Sequence, residues 1–188
     1  MGTNILRKLG TAIDRLFLKK VGAISVPGSE YHLLLICFHP YYGQKTVQIP
    51  DQVTIAPGDP LCEIHLSNQR ITAIAAETEG RSMEWRLFEI LKAEFGKLAK
   101  ACADGTIPEI KAVYGINTMR TATKRLGFTL FPIPKGFSKL WLGFWESLLR
   151  KVFYSYKKDK KAAIKRRTMK PYEIWLSREE LIRKYLKT

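Results

Sequence analysis

The sequence predicts an α+β domain, a mixed β-sheet with helices packed on it behind an N-terminal amphipathic basic helix. Three observations carry that expectation. Short apolar runs separated by Pro-Gly and Gly turns recur through the first half of the chain, which is the signature of strands. Three longer stretches repeat apolar residues at three- and four-residue steps, which is the signature of helices. A length of 188 residues, 46% of them hydrophobic, suits one core, so residues 1–188 are expected to form a single domain.

Residues 1–22 supply the first helix, with Ile5, Leu6, Leu9, Ile13, Leu16 and Phe17 on one side and Arg7, Lys8, Arg15 and Lys19 on the other. Pro27-Gly28-Ser29 marks a turn, and Tyr31 to Phe38 reads as a strand. Tyr42-Gly43-Gln44 turns into a second strand from Lys45 to Ile49, where Val47 and Ile49 alternate with polar neighbours. After Pro57-Gly58-Asp59-Pro60, Leu61, Ile64 and Leu66 mark a further strand, continued after a bend by Ile71 to Ala75.

The clearest helix runs from the N-cap Ser82 to Ala103, with Trp85, Phe88, Leu91, Phe95, Leu98 and Cys102 in a stripe and Gly105 as its stop. Ala112 to Ile116 reads as a strand, Thr118 caps a short helix that Gly127 closes, and Phe128 to Ile133 is a strand again. That order predicts a crossover between neighbouring parallel strands. From Gly136 to Tyr156 an aromatic stripe includes Trp141 and Trp145. Residues 157–170 form a basic loop, and Tyr172 to Leu176 leads into a helix with a Ser177–Glu180 capping box.

Charge is the unusual quantity. Thirty-two Lys and Arg against 17 Asp and Glu leave a formal net charge of +15. Self-repulsion of that size suits an anionic partner, and an anionic membrane surface, an anionic glycan with its envelope enzyme, or nucleic acid would each satisfy it, the alternative being a basic surface that serves solubility alone. The densest block comprises Lys157, Lys158, Lys160, Lys161, Lys165, Arg166 and Arg167, opposed only by Asp159. Beside it, the Trp141 and Trp145 stripe reads either as an interfacial helix or, more strongly, as a helix packed on the sheet. Nucleic acid is the weaker alternative, because no recognisable RNA- or DNA-binding signature accompanies the cations.

The chemical inventory excludes more than it includes. No P-loop, dinucleotide fingerprint or nucleophile elbow can be written anywhere, and His32, His39 and His65 are the only histidines. No catalytic residue or cofactor is assigned. Cys37, Cys62 and Cys102 are an odd set in apolar surroundings and read as reduced core thiols. Cys37-x-His39 and Cys62-x-x-His65 offer zinc-type ligands. Residues three apart on a strand point to opposite faces, so Cys62 and His65 are expected to diverge, and no metal site is assigned. His65, at a strand end near Asn68 and Arg70, is the one candidate acid or base. Neither a signal peptide nor a run of roughly 18 apolar residues is present. The expectation is therefore a cytoplasmic protein, peripheral at most to the inner face of the membrane.

Gly58-Asp-Pro-Leu-Cys-Glu-Ile-His65-Leu-Ser-Asn68, Gly115-Ile-Asn-Thr118, Arg125-Leu-Gly-Phe128 and Trp175-Leu-Ser-Arg178-Glu-Glu-Leu-Ile-Arg-Lys-Tyr185 resemble the YkoP-like domain family of bacteria. The resemblance covers most of the chain. It implies an association with cell-envelope glycan metabolism, since members stand alone or fused to polysaccharide deacetylases, although the metal ligands of a deacetylase have no counterpart here. It also implies a shared polar surface, for which His65, Asn68, Thr118, Arg120, Trp175, Ser177 and Arg178 are the candidates. The function expected is that of a non-catalytic accessory or binding module, the alternative being an enzyme that uses His65 in a polar cleft.

Overall fold

A computed structural model describes residues 16–77, 83–117, 119–133 and 171–186. Its strands are β1 (Ile24–Ser25), β2 (Leu34–Pro40), β3 (Val47–Gln48), β4 (Thr54–Ile55), β5 (Pro60–Leu66), β6 (Ala112–Asn117), β7 (Thr129–Pro132) and β8 (Tyr172–Ser177). The helices are α1 (Asn68–Glu77), α2 (Met83–Ala103), α3 (Arg120–Arg125) and α4 (Arg178–Leu186). Residues 16–20 are also helical, while the rest of the expected N-terminal helix lies outside the described residues. So do Ser82, Thr118, the aromatic stripe of residues 136–156 and the basic segment of residues 157–170.

Six strands form one mixed sheet in the order β1-β2-β5-β6-β8-β7, and β3 pairs with β4 in a separate small sheet. The β5–β6 pair is parallel and the other neighbours are antiparallel. The fold is therefore α+β, as the alternation of short apolar runs and long periodic ones predicts.

One face of the sheet packs on α2 and α4. Ile36, Cys62, Val113, Ile174 and Leu176 meet Ile90, Leu91, Phe95, Leu98, Cys102 and Leu181 in the main core. A smaller core lies on the opposite face, where Ile49 and Ile55 of the β3–β4 hairpin cover Leu61, Ala112 and Trp175. All three cysteines are free and buried, as expected of reduced core thiols.

Four local expectations need correction. Residues 71–75 belong to α1 rather than to a strand, because Ser67 Oγ accepts the Arg70 N–H at 3.3 Å and starts a helix directly after β5. The strand expected from Lys45 to Ile49 is confined to Val47–Gln48, which pairs with β4. Strands β6 and β7 run parallel but are not neighbours, since β8 inserts between them and pairs antiparallel with both. The stripe of α2 holds from Phe88 to Cys102, but Trp85 at its start is 54% exposed, and Ile90 and Glu94 are buried beside it.

Two turn glycines behave as their positions suggest. Gly127 adopts φ +96° after α3, and Gly105 adopts φ +74° after α2. At α3 the cap differs from expectation, because Met119 is the N-cap residue and offers no side-chain bond. Asn117 Oδ1 instead accepts the Met119 N–H at 2.8 Å. At α4 Ser177 Oγ accepts the Glu180 N–H at 3.0 Å, as a capping box requires, but the Glu180 carboxylate turns to Arg183 at 2.6 Å.

The buried carboxylate of Glu94 ties α2 to the segment entering β2. It accepts the Leu33 N–H at 3.2 Å, the Leu34 N–H and the Ser29 hydroxyl. A carboxylate 1% exposed is tolerable only when such donors replace its water. Glu94→Ala leaves buried amides without an acceptor and is expected to cost at least about 2 kcal/mol in a urea titration. Glu94→Gln, which keeps one carbonyl oxygen, should lose less. Equal stability of Glu94→Ala and the parent would refute this assignment.

Gly115 marks the tightest spot in the sheet. A Cβ there would come within 2.9 Å of Ile64 Cγ1 and 3.3 Å of the Ile64 carbonyl oxygen. Because a backbone atom is among the obstacles, Gly115→Ala should destabilise by about 1–3 kcal/mol, read from the denaturation midpoint. An unchanged midpoint would show that β5 yields there.

Candidate functional site

Alternation along β2 and β5 sorts their side chains between the two faces. Leu34, Ile36 and Phe38 of β2, with Cys62, Ile64 and Leu66 of β5, turn towards the main core. Cys37 and His39, with Glu63 and His65, fall on the other face. The antiparallel register sets Cys37 opposite Glu63 and Leu35 opposite His65. The row continues through Tyr114 on β6 and Trp175 on β8. Four polar side chains from two Cys/Glu-x-His segments thus meet on a half-open patch.

The distances within this patch are short. His65 Nε2 lies 3.6 Å from Cys37 Sγ and 3.5 Å from Glu63 Oε1. The other carboxylate oxygen, Glu63 Oε2, is 2.9 Å from His39 Nε2, and His39 Nδ1 is 2.8 Å from the Pro40 carbonyl oxygen. The ring of Tyr42 stacks on His39 with 7° between the planes, and Phe17 stands edge-on to His65 at 5.7 Å. Cys37 is buried at 3% exposure, whereas the His65 side chain retains 17%.

Burial, reinforced by the Glu63 charge, pushes the Cys37 thiol up to about 11. Unaided, it is a protonated thiol at neutral pH and a poor nucleophile. In a nucleophilic triad the base uses one ring nitrogen towards the nucleophile and the other towards the orienting acid. Here a single nitrogen, Nε2, faces both the sulfur and the carboxylate. The three groups converge on Nε2 of His65.

Further along the face, Tyr114 packs against Trp175 with ring centroids 4.5 Å apart, and Tyr41 meets the same indole edge-on at 5.6 Å. Burial raises the titration of Glu173, opposed in part by the Trp175 N–H directed to it at 3.5 Å. Burial and the nearby Glu173 raise that of Tyr114.

Of the seven expected surface candidates, the six among the described residues do not assemble into one site. His65 alone belongs to the Cys37–Glu63 group. Trp175 shares the face but is 1% exposed and serves the smaller core. Ser177 is buried, caps α4 and donates its hydroxyl hydrogen to Asp51. Arg178 reaches the Cys102 carbonyl oxygen at 2.9 Å, fastening α4 to the end of α2. Asn68 opens α1, where its carbonyl oxygen accepts the Thr72 hydroxyl at 2.9 Å. Arg120 lies over the Tyr172 ring at 5.7 Å, and Thr118 is outside the described residues.

The reasoning from sequence missed Glu63 and paired the cysteines and histidines incompletely. Cys62 does diverge from His65, into the main core. The available signal was parity: Cys37-x-His39 and Glu63-x-His65 each present a same-face pair, and only the register between the strands was lacking.

A second feature is electrostatic. The C-terminal ends of α3 and α4 meet at the Leu126–Gly127 turn, where Tyr185 Oη donates to the Leu126 carbonyl at 2.8 Å and Lys184 lies against Gly127. Lys124, Arg125 and Lys184 are exposed there, and Arg120 is exposed at the opposite, N-terminal end of α3. Among the described residues none of the four has an ion-pair partner. Lys124, Arg125 and Lys184 sit in the last turns of their helices, where cations also offset the helix dipole. No helix among the described residues is long and apolar enough to cross a membrane.

No curated protein matches the chain, and neither does any solved structure. A family model described as the YkoP domain matches residues 3–185. That span includes both strands of the polar patch and the basic corner, and it agrees with the resemblance carried by the Gly58–Asn68 and Trp175–Tyr185 segments. The chain belongs to the YkoP domain family.

Proposed function

We propose that the chain is a non-catalytic binding module of cell-envelope polysaccharide metabolism that rests on an anionic membrane surface through its cations. The observation that carries this reading is the set of exposed cations Lys124, Arg125 and Lys184 at the meeting ends of α3 and α4, with Arg120 at the other end of α3, none of them with an ion-pair partner among the described residues. It sits in a chain of net charge +15. Each Lys or Arg held near an anionic bilayer contributes about 1 kcal/mol, so these four together with the seven of the 157–167 block suffice for reversible attachment without a lipid anchor. The link to envelope glycans follows from the family resemblance alone.

A cation in the last turn of a helix also serves the helix itself, and this competes with the docking role for Lys124, Arg125 and Lys184. The two roles separate on salt and on lipid charge, because only docking responds to a second surface.

Flotation of the full chain with phosphatidylglycerol-containing vesicles at low salt is expected, and none with phosphatidylcholine vesicles. Replacing Lys157, Lys158, Lys160 and Lys161 with Gln should weaken vesicle binding by roughly tenfold or more, as should the same change at Arg120, Lys124, Arg125 and Lys184. If nothing floats at low salt, the membrane reading is lost. If binding to a DNA or RNA duplex falls steeply with salt while vesicles are ignored, a nucleic-acid partner replaces it.

A further inference from the structure

The group on the second face of the β2–β5 pair has the chemistry and the dimensions of a metal site. Ligand atoms of Cys37, Glu63 and His65 all lie within 4.8 Å of one another. A four-coordinate zinc with Zn–S of about 2.3 Å and Zn–N or Zn–O of about 2.0–2.1 Å sets its ligands about 3.6 Å apart for sulfur and nitrogen, and about 3.4 Å apart for nitrogen and oxygen. The observed separations are 3.6 Å from Cys37 Sγ to His65 Nε2 and 3.5 Å from His65 Nε2 to Glu63 Oε1. The second value is long for a hydrogen bond between imidazole and carboxylate but matches a tetrahedral edge.

We infer that Cys37 Sγ, His65 Nε2 and Glu63 Oε1 form a three-ligand site for a borderline-soft divalent cation, Zn²⁺ foremost, that leaves a fourth position for water or a ligand oxygen. Sulfur among the donors disfavours Mg²⁺ and Ca²⁺, which take oxygen. With three protein donors among the described residues, the mixed S, N, O set is that of an open zinc site rather than of a closed structural one. Binding replaces the thiol proton with the metal and releases that proton to solvent.

The surroundings support the geometry. His39 holds Glu63 Oε2 at 2.9 Å, leaving Oε1 directed to His65, the kind of outer contact that orients a metal-ligating carboxylate. All three donors stand on paired strands whose register is fixed by the cores on both faces, so no loop has to fold to assemble them. Phe17 lies edge-on to His65 on one side, an apolar neighbour that limits water there. Cys62 and Cys102 belong to the main core, so neither competes for the ion.

This inference is independent of the membrane reading, and its test uses no lipid. The full chain, stripped with EDTA, should take up a single equivalent of Zn²⁺ in competition with a chromophoric chelator. Loaded with Co²⁺ instead, it should show thiolate-to-cobalt charge-transfer absorption and the intense visible bands of a four-coordinate ion. Cys37→Ser abolishes the charge-transfer band, whereas Cys62→Ser retains it. Glu63→Gln and His65→Ala lose stoichiometric uptake while keeping the far-ultraviolet circular dichroism of the metal-free parent. His39→Ala weakens uptake by about 10- to 100-fold through its hold on Glu63. Should Cys37→Ser fail to fold, His65→Ala and Glu63→Gln carry the same test. Absence of stoichiometric uptake by the parent, or a thiolate band that survives in Cys37→Ser, overturns the proposal.

Discussion

The register of β2 against β5 is the constraint on which the rest of the architecture depends. Because side chains alternate strictly along a strand, setting Cys37 opposite Glu63 decides the face of every residue in both. Leu34, Ile36, Cys62 and Ile64 go to the helices, while Cys37, His39, Glu63 and His65 go to the half-open side. A slip of one residue would bury two histidines and a carboxylate under α2 and expose the aliphatic set. Apolar packing on one side thus enforces the polar grouping on the other.

Glu94 secures that register at its start. A carboxylate within a helix stripe that otherwise holds Ile90, Leu91, Phe95 and Leu98 is costly unless buried donors answer it, and the Leu33 and Leu34 amides do so where the chain enters β2. The interaction is directional, whereas the apolar contacts around it are not. It selects one alignment of α2 over the sheet from those that hydrophobic burial alone would accept.

Much of the fold was legible from spacing. The apolar run before Pro40, the Pro57-Gly58-Asp59-Pro60 turn, the long helix ending near Gly105 and the Ser177 cap all appear as local chemistry dictates. The errors share a cause, which is that they concern relations between segments. Ile71 to Ala75 suits strand or helix equally, and the Ser67 cap decides the matter. Nothing in residues 112–133 reveals that a strand from the C-terminal end will insert between β6 and β7. The buried side of α2 depends on what lies beneath it, so Trp85 was misplaced and Glu94 overlooked. At the polar patch, the parity of Cys37 and His39 was legible. Their meeting with Glu63 and His65 required a pairing that composition does not encode, while Trp175 and Ser177 are polar in type but spent on packing and capping.

The margins of the six-stranded sheet are blunt. On one side β1 consists of Ile24 and Ser25 alone, with Pro27 close behind, and on the other β7 spans four residues ending in Pro132. Neither offers a long row of free amides and carbonyls for an incoming extended peptide. Among the described residues, recognition of another molecule therefore falls to side chains instead of to strand addition, and the same bluntness guards the sheet against edge-to-edge polymerisation at high concentration.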